Sequence, residues 1–146
     1  MINSSSLNEV RKQIQKLKKQ EKKVIILAQS SEFNRKIVEM KDVDILMSPE
    51  LHNRKDKMKQ RDSGLNEILC KIARKNNIKI GINLEEIKKL KDKEKAIVLS
   101  RIKQNIMLCK KAGTDLVIAG DYDKKDAFSF LLTLGASTKQ AKKATT

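Results

Sequence analysis

The stretch Arg61-Asp62-Ser63-Gly64-Leu65 opens a helical pattern that leads into the apolar strand Ile78-Lys79-Ile80-Gly81-Ile82-Asn83-Leu84. This order of helix and strand is the most informative feature of the chain. Apolar residues recur every three or four positions after the glycine and predict an amphipathic helix. Asp62 and Ser63 are expected to cap this helix, since their side-chain oxygens can accept from the unpaired amides of its first turn. Arg61 would then lie at the mouth of a strand-to-helix loop.

The same strand-and-helix rhythm extends through the whole chain. Four short apolar runs predict strands, at Val24–Ala28, Val43–Leu46, Ile78–Ile82 and Leu116–Ala119. Their nearly continuous hydrophobicity is typical of strands covered on both faces, as in parallel sheets. Helical patterns lie before, between and after them, at Leu7–Leu17, Phe33–Met40, Leu65–Ile72, Val98–Cys109, Phe128–Leu132 and Ser137–Thr145. This alternation predicts an α/β fold of βαβ units with at least four parallel strands.

The predicted strands are too few for a complete barrel. A closed (β/α)₈ barrel has eight strands and about 250 residues, whereas this chain has 146 residues. We therefore expect either an incomplete barrel or an open sheet. The chain should form a single domain over residues 1–146, with residues 1–5 and 145–146 disordered.

The composition is strongly basic. Lys and Arg number 33 against 18 Asp and Glu, which leaves a formal net charge of +15. Self-repulsion of this size favours a polyanionic partner, and nucleic acid is the commonest one for a basic domain. The chain has no apolar run of the roughly 20 residues that a spanning helix needs, and residues 1–6 lack a signal-peptide core. We expect a cytoplasmic protein without a membrane partner.

Cysteine, histidine and aromatic usage argues against several kinds of site. Cys70 and Cys109 lie in separate helical patterns and are expected to be buried free thiols. His52 is the single histidine, so a zinc site is not predicted, and we expect it to be exposed in a loop. Four aromatic residues and no Trp are too few for stacking bases as single-strand binders do.

Basic residues cluster after the second predicted strand. The loop 51–61 carries five cations, namely Arg54, Lys55, Lys57, Lys59 and Arg61. Loops after parallel strands carry the sites of most α/β proteins, so these cations could clamp phosphates. A merely solvated loop in a lysine-rich protein explains them equally well.

Carboxylates give a second hypothesis from another class. Asp44, Glu50 and Asp121 lie in or after predicted strands, where α/β enzymes place catalytic acids. They could serve a degenerate metal-dependent phosphoesterase, although the histidine ligands common in such sites are missing. A basic scaffold or membrane-surface protein is a third hypothesis, weakened because no helix pairs a basic face with a wide aromatic apolar one.

Four segments in order resemble one known family. They are Glu32–Glu39, Val43–Glu50, Arg61–Asn66 and Ile80–Leu84, and the similarity continues through Arg101–Lys110. Together they resemble the ribonuclease P protein component 3 family, the archaeal counterpart of the thirty-kilodalton protein subunit of eukaryotic ribonuclease P. The resemblance covers roughly residues 7–144.

The resemblance implies a parallel β/α barrel-like fold related to TIM barrels and to polymerase-and-histidinol-phosphatase domains. It implies a non-catalytic, RNA-binding subunit of ribonuclease P, the endoribonuclease that removes the 5′ leader from precursor tRNA. The RNA subunit would hold Mg²⁺ and perform the hydrolysis, so no cofactor or metal is expected on the protein. The expected partners are the RNA subunit and ribonuclease P protein component 2, with precursor tRNA contacted indirectly.

The resemblance also suggests which residues face RNA. The set combines the family motif, the preceding basic loop and polar residues at element ends: Arg61, Asp62, Ser63, Arg54, Lys55, Lys57, Lys59, Arg35, Asn34, Asn83 and Asn105. Three departures from the family mark a shortened member. One or two initial βα units are missing, the segment Leu51–Gln60 is longer, and Ala119–Tyr122 replaces a Ser/Thr-rich turn.

Overall fold

A computed structural model describes residues 1–56 and 61–146. Its elements follow one another in this order: α1 (Leu7–Lys19), β1 (Ile25–Leu27), α2 (Ser31–Val38), β2 (Ile45–Met47), α3 (Glu67–Lys75), β3 (Lys79–Asn83), α4 (Leu84–Lys89), α5 (Asp92–Ala112), β4 (Leu116–Ala119), α6 (Lys124–Thr133) and α7 (Thr138–Ala144). The α/β class and the four parallel strands are confirmed. The short helix α4 was not predicted from the sequence.

The sheet has the sequential order β1-β2-β3-β4. Sequential parallel strands joined by helices are the arrangement of a β/α barrel segment. Within the described residues β1 and β4 are the outer strands of this sheet, and Ile2 adds one parallel bridge beside Ile26. The Ile2 amide donates to the Ile25 carbonyl at 2.8 Å, so the first residues are bonded to the sheet.

The core forms between one face of the sheet and the helices. Ile26, Leu46, Ile80 and Leu116 share one register across the four strands, and each is at most 2% exposed. Parallel strands place residues in register on the same face. The helices contribute mostly aliphatic residues to this core: Val10, Ile14, Ile37, Leu69, Ile102, Ile106 and Leu131.

The cysteine prediction is confirmed, because Cys70 on α3 and Cys109 on α5 are both free and buried. Across residues 1–56 and 61–146, no helix combines the length and the apolar character needed to cross a membrane.

Side chains of different residue types cap α2 and α3. Ser30 caps α2, accepting from the Phe33 amide at 3.2 Å. The cap of α3 is Asn66, whose Oδ1 accepts from the Leu69 amide at 2.8 Å. Asp62 and Ser63 therefore do not cap this helix. The Asp62 carboxylate oxygens accept from Arg54 and from the Gly64 amide instead, and residues 61–66 form neither helix nor strand.

Candidate functional site

The candidate site is the long connection between β2 and α3, at the carboxyl end of the sheet. Its two ends meet at Gly64, which has φ +83°. A Cβ at this position would lie 2.0 Å from the Pro49 carbonyl oxygen. Only glycine accepts both the left-handed backbone and this close approach. The glycine of the predicted motif therefore closes the connection onto the end of β2.

Arg101 forms hydrogen bonds to the middle of this connection. It lies on the buried face of α5 and is 5% exposed. Its guanidinium donates to the carbonyls of Glu50, His52 and Arg54 at 3.2, 3.0 and 3.0 Å, and Nε reaches Asp56 Oδ1 at 3.3 Å. A planar fork with five N–H groups suits this task, since it can satisfy several acceptors at once. One helix residue thus fixes the path of the loop.

Asp62 is the second organising group. Its Oδ2 accepts from Arg54 Nε at 2.9 Å, and its Oδ1 accepts from the Gly64 amide at 3.1 Å. Burial alone would raise the pKa of this carboxyl, but the bonds from Arg54 and Gly64 outweigh burial and hold the pKa below its usual value. The carboxylate therefore stays charged, and it orients the Arg54 side chain.

Arg61 is the cation of the predicted motif, and its side chain is accessible to a ligand. Half of its side chain is exposed, and Nη1 lies 3.7 Å from Asp56 Oδ2. Its carbonyl accepts from Gln104 Nε2 at 3.2 Å, which ties its backbone to α5. Lys55 is exposed nearby. Lys57 and Lys59, also predicted to face RNA, lie outside the described residues.

Ser63 and Asn105 form the floor of the connection. They are 1% and 2% exposed, and Asn105 Nδ2 donates to the Ser63 carbonyl at 3.0 Å. Ser63 Oγ donates to the Leu65 carbonyl at 3.3 Å. Both side chains are buried, and their hydrogen bonds fix the backbone of residues 63–65.

The remaining predicted residues lie on other parts of the fold. Asn34 is fully buried on α2 and accepts from the Gln29 amide at 2.8 Å. Arg35 lies on the outer face of the same helix and pairs with Glu39 at 3.0 Å. Asn83 caps α4 through the Glu85 amide at 3.1 Å. Arg35 and Asn83 thus make local structural contacts. Asn34, in contrast, meets Arg54 at the Gln29 carbonyl, which accepts from Asn34 Nδ2 and from Arg54 Nη1 at 3.4 Å each.

His52 is not the exposed loop residue that we expected. Its side chain is 7% exposed, Nε2 contacts the Asp62 carbonyl, and Nδ1 accepts from the Arg54 amide at 3.1 Å. Burial lowers the pKa of this imidazole, as do the charges of Arg101 and Arg54, against the opposing effect of its contacts to Asp62. The histidine is a neutral structural member of the connection.

Glu50 is the unusual group of this region. It is 1% exposed, and its Oε1 has no partner among the described residues. Burial raises the pKa of Glu50 to about 7, although a bond to its own amide and the charge of Arg101 act in the opposite direction. The carboxyl is therefore divided between its two protonation states at neutral pH.

The three carboxylates of the phosphoesterase hypothesis do not converge. Asp44 immediately precedes β2 and accepts from the Val24 amide at 2.7 Å, whereas Asp121 follows β4 at the opposite end of the sheet. Glu50 is buried beneath the connection. In residues 1–56 and 61–146, no group of three His, Cys, Asp or Glu side chains is placed to hold a metal ion.

Arg101 and Asp56 are the site residues that sequence reasoning missed. A signal was available for Arg101, because it falls on the apolar stripe of α5 between Val98 and Ile102, three residues after the first. A charged residue at a core-facing position needs buried partners. Its partners, however, are backbone carbonyls of a distant loop, which no spacing rule reveals.

Comparison with known proteins agrees with this fold. No family model matches the chain. A ribonuclease P protein component 3 of Methanococcus vannielii is 32% identical over 118 residues, which cover 81% of this chain and 48% of the relative. The protein of the same name from Methanocaldococcus jannaschii is 29% identical over 140 residues, covering 91% of this chain and 57% of the relative. The chain thus spans about half the length of the curated relatives it matches.

A solved structure gives the same result in three dimensions. A chain in the cryo-EM structure of archaeal ribonuclease P with mature tRNA superimposes with a TM-score of 0.82 and 28% identity. The match covers 98% of this chain and 62% of that chain. Sequence similarity and fold agree over nearly every described residue, so the chain resembles ribonuclease P protein component 3 in both.

Proposed function

We propose that this chain is a non-catalytic, RNA-binding protein subunit of ribonuclease P, which supports the RNA subunit in removing the 5′ leader from precursor tRNA. One observation carries the proposal: 98% of the chain superimposes on a chain of archaeal ribonuclease P with a TM-score of 0.82. The curated relatives carry the ribonuclease P name in the same way. Similarity to these proteins thus supports a ribonucleoprotein rather than an independent enzyme.

The charge of the chain supports an RNA partner. A net charge of +15 on 146 residues attracts a polyanion and releases counterions from each phosphate that is neutralised. The scarcity of aromatic residues, 3% of the chain, favours contact with the RNA backbone over stacking on bases. We infer that the protein reads the shape of folded RNA and screens its phosphates.

The proposed division of labour leaves hydrolysis to the RNA. In this proposal the RNA subunit holds Mg²⁺, and the protein holds no cofactor of its own. The placement of the carboxylates is consistent with this role, since Asp44 and Asp121 lie at opposite ends of the sheet. Ribonuclease P protein component 2 is the proposed protein partner, and precursor tRNA is contacted through the assembled particle.

Reconstitution of precursor-tRNA cleavage tests this function. The RNA subunit and the other protein components would be assembled with and without this chain, and the cleavage rate measured at limiting Mg²⁺. We expect the chain to raise the rate. A rate that is identical with and without the chain would sink the proposal, as would phosphodiesterase activity of the protein with Mn²⁺ in the absence of RNA.

A point variant then tests the candidate site by its effect on RNA binding. Arg61→Ala removes the half-exposed cation of the loop, and Arg11→Ala removes an exposed cation from α1 as a matched control. Loss of one phosphate contact should reduce the salt slope of RNA binding by about 1. Equal salt slopes for the two variants would exclude Arg61 as an RNA contact.

A further inference from the structure

A second candidate site lies at the opposite end of the sheet from the loop connection described above. It is a cleft of about 500 Å³ at the amino ends of β3 and β4. The end of α3, the end of α5 and the start of α7 form its walls. None of the residues predicted to face RNA lies in it, so it is independent of the candidate site at the carboxyl end.

The lining of this cleft is strongly cationic. Its lining carries five cations and a single carboxylate: Arg74, Lys79, Lys110, Lys139 and Lys143, with Asp115. The cleft beside Arg101, at the carboxyl end, has three cations and three carboxylates among its described lining residues. A cleft lined by one sign of charge concentrates counterions of the other sign. The lining at the amino end therefore attracts anions more strongly than the described lining at the carboxyl end.

Three of these cations have partners that hold their side chains in place. Arg74 Nη1 donates to the Ala112 carbonyl at 3.2 Å. Gly113 makes room for it, since a Cβ there would lie 1.8 Å from the same nitrogen. Lys110 Nζ donates to the Gly135 carbonyl at 3.4 Å, and Lys143 Nζ lies 3.5 Å from Asp115. The cleft thus has a positioned cationic wall.

Helix stabilisation alone does not explain this cluster. Arg74 and Lys110 lie in the last turns of their helices, where cations complement the helix dipole. Lys139, however, lies in the first turn of α7, which contains no acidic residue, and a cation there opposes the dipole. Lys79 begins a strand and is exposed. Among the ion pairs of the described residues, neither of these lysines takes part.

We propose that this cleft binds the phosphodiester backbone of RNA, with Lys79 and Lys139 as its principal contacts and Arg74 as a preoriented third. The inference rests on the proposed function, which supplies RNA as the polyanion. An exposed lysine with no carboxylate partner loses little on binding, because it exchanges only water and counterions for the phosphate. The protein would then contact RNA from the amino end of its sheet.

The test compares two double variants of the complete chain with equal loss of charge. Lys79→Gln/Lys139→Gln removes the cleft lysines, and Lys88→Gln/Lys91→Gln removes two exposed lysines near α4 that line no described cleft. Binding of a fluorescein-labelled RNA duplex of arbitrary sequence is followed by anisotropy between about 50 and 200 mM KCl. Urea denaturation verifies that both variants are folded.

The cleft variant should bind about tenfold more weakly than the wild type at 100 mM KCl, and its salt slope should be shallower by about 1.5. The control should stay within about threefold of the wild type, because screening limits charge effects beyond roughly 10 Å. A second measurement needs no variant: RNA should protect Lys79 and Lys139 from acetylation in the wild-type chain more than it protects Lys88.

The outcomes separate this inference from the proposed function. Wild-type protein that binds no RNA would overturn both. Equal binding by the two variants, together with unprotected Lys79 and Lys139, would overturn the cleft site and leave the ribonuclease P function standing. Polyglutamate serves as the second probe. If the cleft variant loses polyglutamate binding but keeps RNA binding, the cleft recognises an acidic protein surface instead.

Discussion

At the scale of single residues, Arg101 determines the path of the connection between β2 and α3. Its guanidinium donates to three loop carbonyls and to Asp56, and the residue is 5% exposed. The described parts of the loop, residues 48–56 and 61–66, form no strand or helix, so their buried carbonyls depend on side-chain donors. Arg101 replaces the hydrogen bonds that secondary structure would have supplied.

Removal of Arg101 should be severe. Arg101→Gln leaves buried carbonyls unpaired and removes one of the two arginines beside Asp56, so we expect the free energy of unfolding to fall by about 3–5 kcal/mol. Lys103→Gln, an exposed position on the same helix, is the matched control and should change stability by less than about 0.5 kcal/mol. Urea denaturation measures both. Similar midpoints for the two variants would contradict the role given to Arg101.

Glu50 makes stability depend on pH. Its pKa is raised from 4.5 to about 7 in the folded protein, so the folded state retains a proton that the unfolded state has lost. Stability should therefore fall as the pH rises from 4.5 towards 7, by an amount on the order of 3 kcal/mol, and should level off above the folded pKa.

Glu50→Gln tests this dependence. Denaturation at pH 5 and pH 8 should show a smaller loss of stability with rising pH in the variant than in the wild type, because the amide does not titrate. Glu94→Gln, at an exposed position of α5, should keep the wild-type dependence. An equal pH dependence of stability in the wild type and in Glu50→Gln would show that Glu50 ionises normally.

At the scale of elements, the start of α3 shows how a tertiary contact overrides a local preference. Asp62 is a good capping residue, but Arg54 and the Gly64 amide occupy its oxygens at 2.9 and 3.1 Å. The helix consequently begins at Glu67 with Asn66 as its cap. Asp62 therefore makes its hydrogen bonds within the loop and not to the first turn of the helix.

The cap assignment makes a direct prediction. Asn66→Ala should lower the free energy of unfolding by about 1 kcal/mol, since the Leu69 amide loses its acceptor. Asn66→Ser keeps a capping oxygen and should stay close to the wild type. Thermal or urea denaturation of both variants measures the difference. Equal destabilisation by alanine and serine would mean that Asn66 acts through something other than its cap.

At the scale of the whole molecule, the net charge of +15 opposes folding in the absence of a polyanion. Raising KCl from about 10 to 200 mM should stabilise the isolated protein by an amount on the order of 1 kcal/mol, because screening weakens the repulsion. A variant with glutamine at four exposed lysines (Lys12, Lys16, Lys88 and Lys91) should show a smaller salt effect. Stability that falls with salt would mean that ion pairs outweigh repulsion.

The distribution of charge separates the two ends of the sheet. At the carboxyl end, Arg54 and Arg101 are committed to Asp62, Asp56 and loop carbonyls, whereas Arg61 is half exposed and Lys55 is exposed. At the amino end, five cations share one carboxylate. Total charge therefore indicates the kind of partner, whereas only the pairing of individual cations shows which surface is available to it.

The sequence alone was enough to predict the α/β class, the four strands, most of the helices and the basic character. These follow from hydrophobic periodicity, capping residues and charge counts, which are local or additive properties. The family resemblance also came from local motifs, and the comparisons confirm it.

The tertiary structure was needed to show which members of those motifs are exposed. Ser63, Asn34 and Asn105 proved buried, His52 proved to be a structural contact, and the core-facing Arg101 was found to bind a loop about 50 residues away in sequence. Hydrogen bonds between distant segments depend on how the helices pack on the sheet. Since the sequence shows residue types but not their neighbours, it does not reveal which cations already have partners and which remain to meet a ligand.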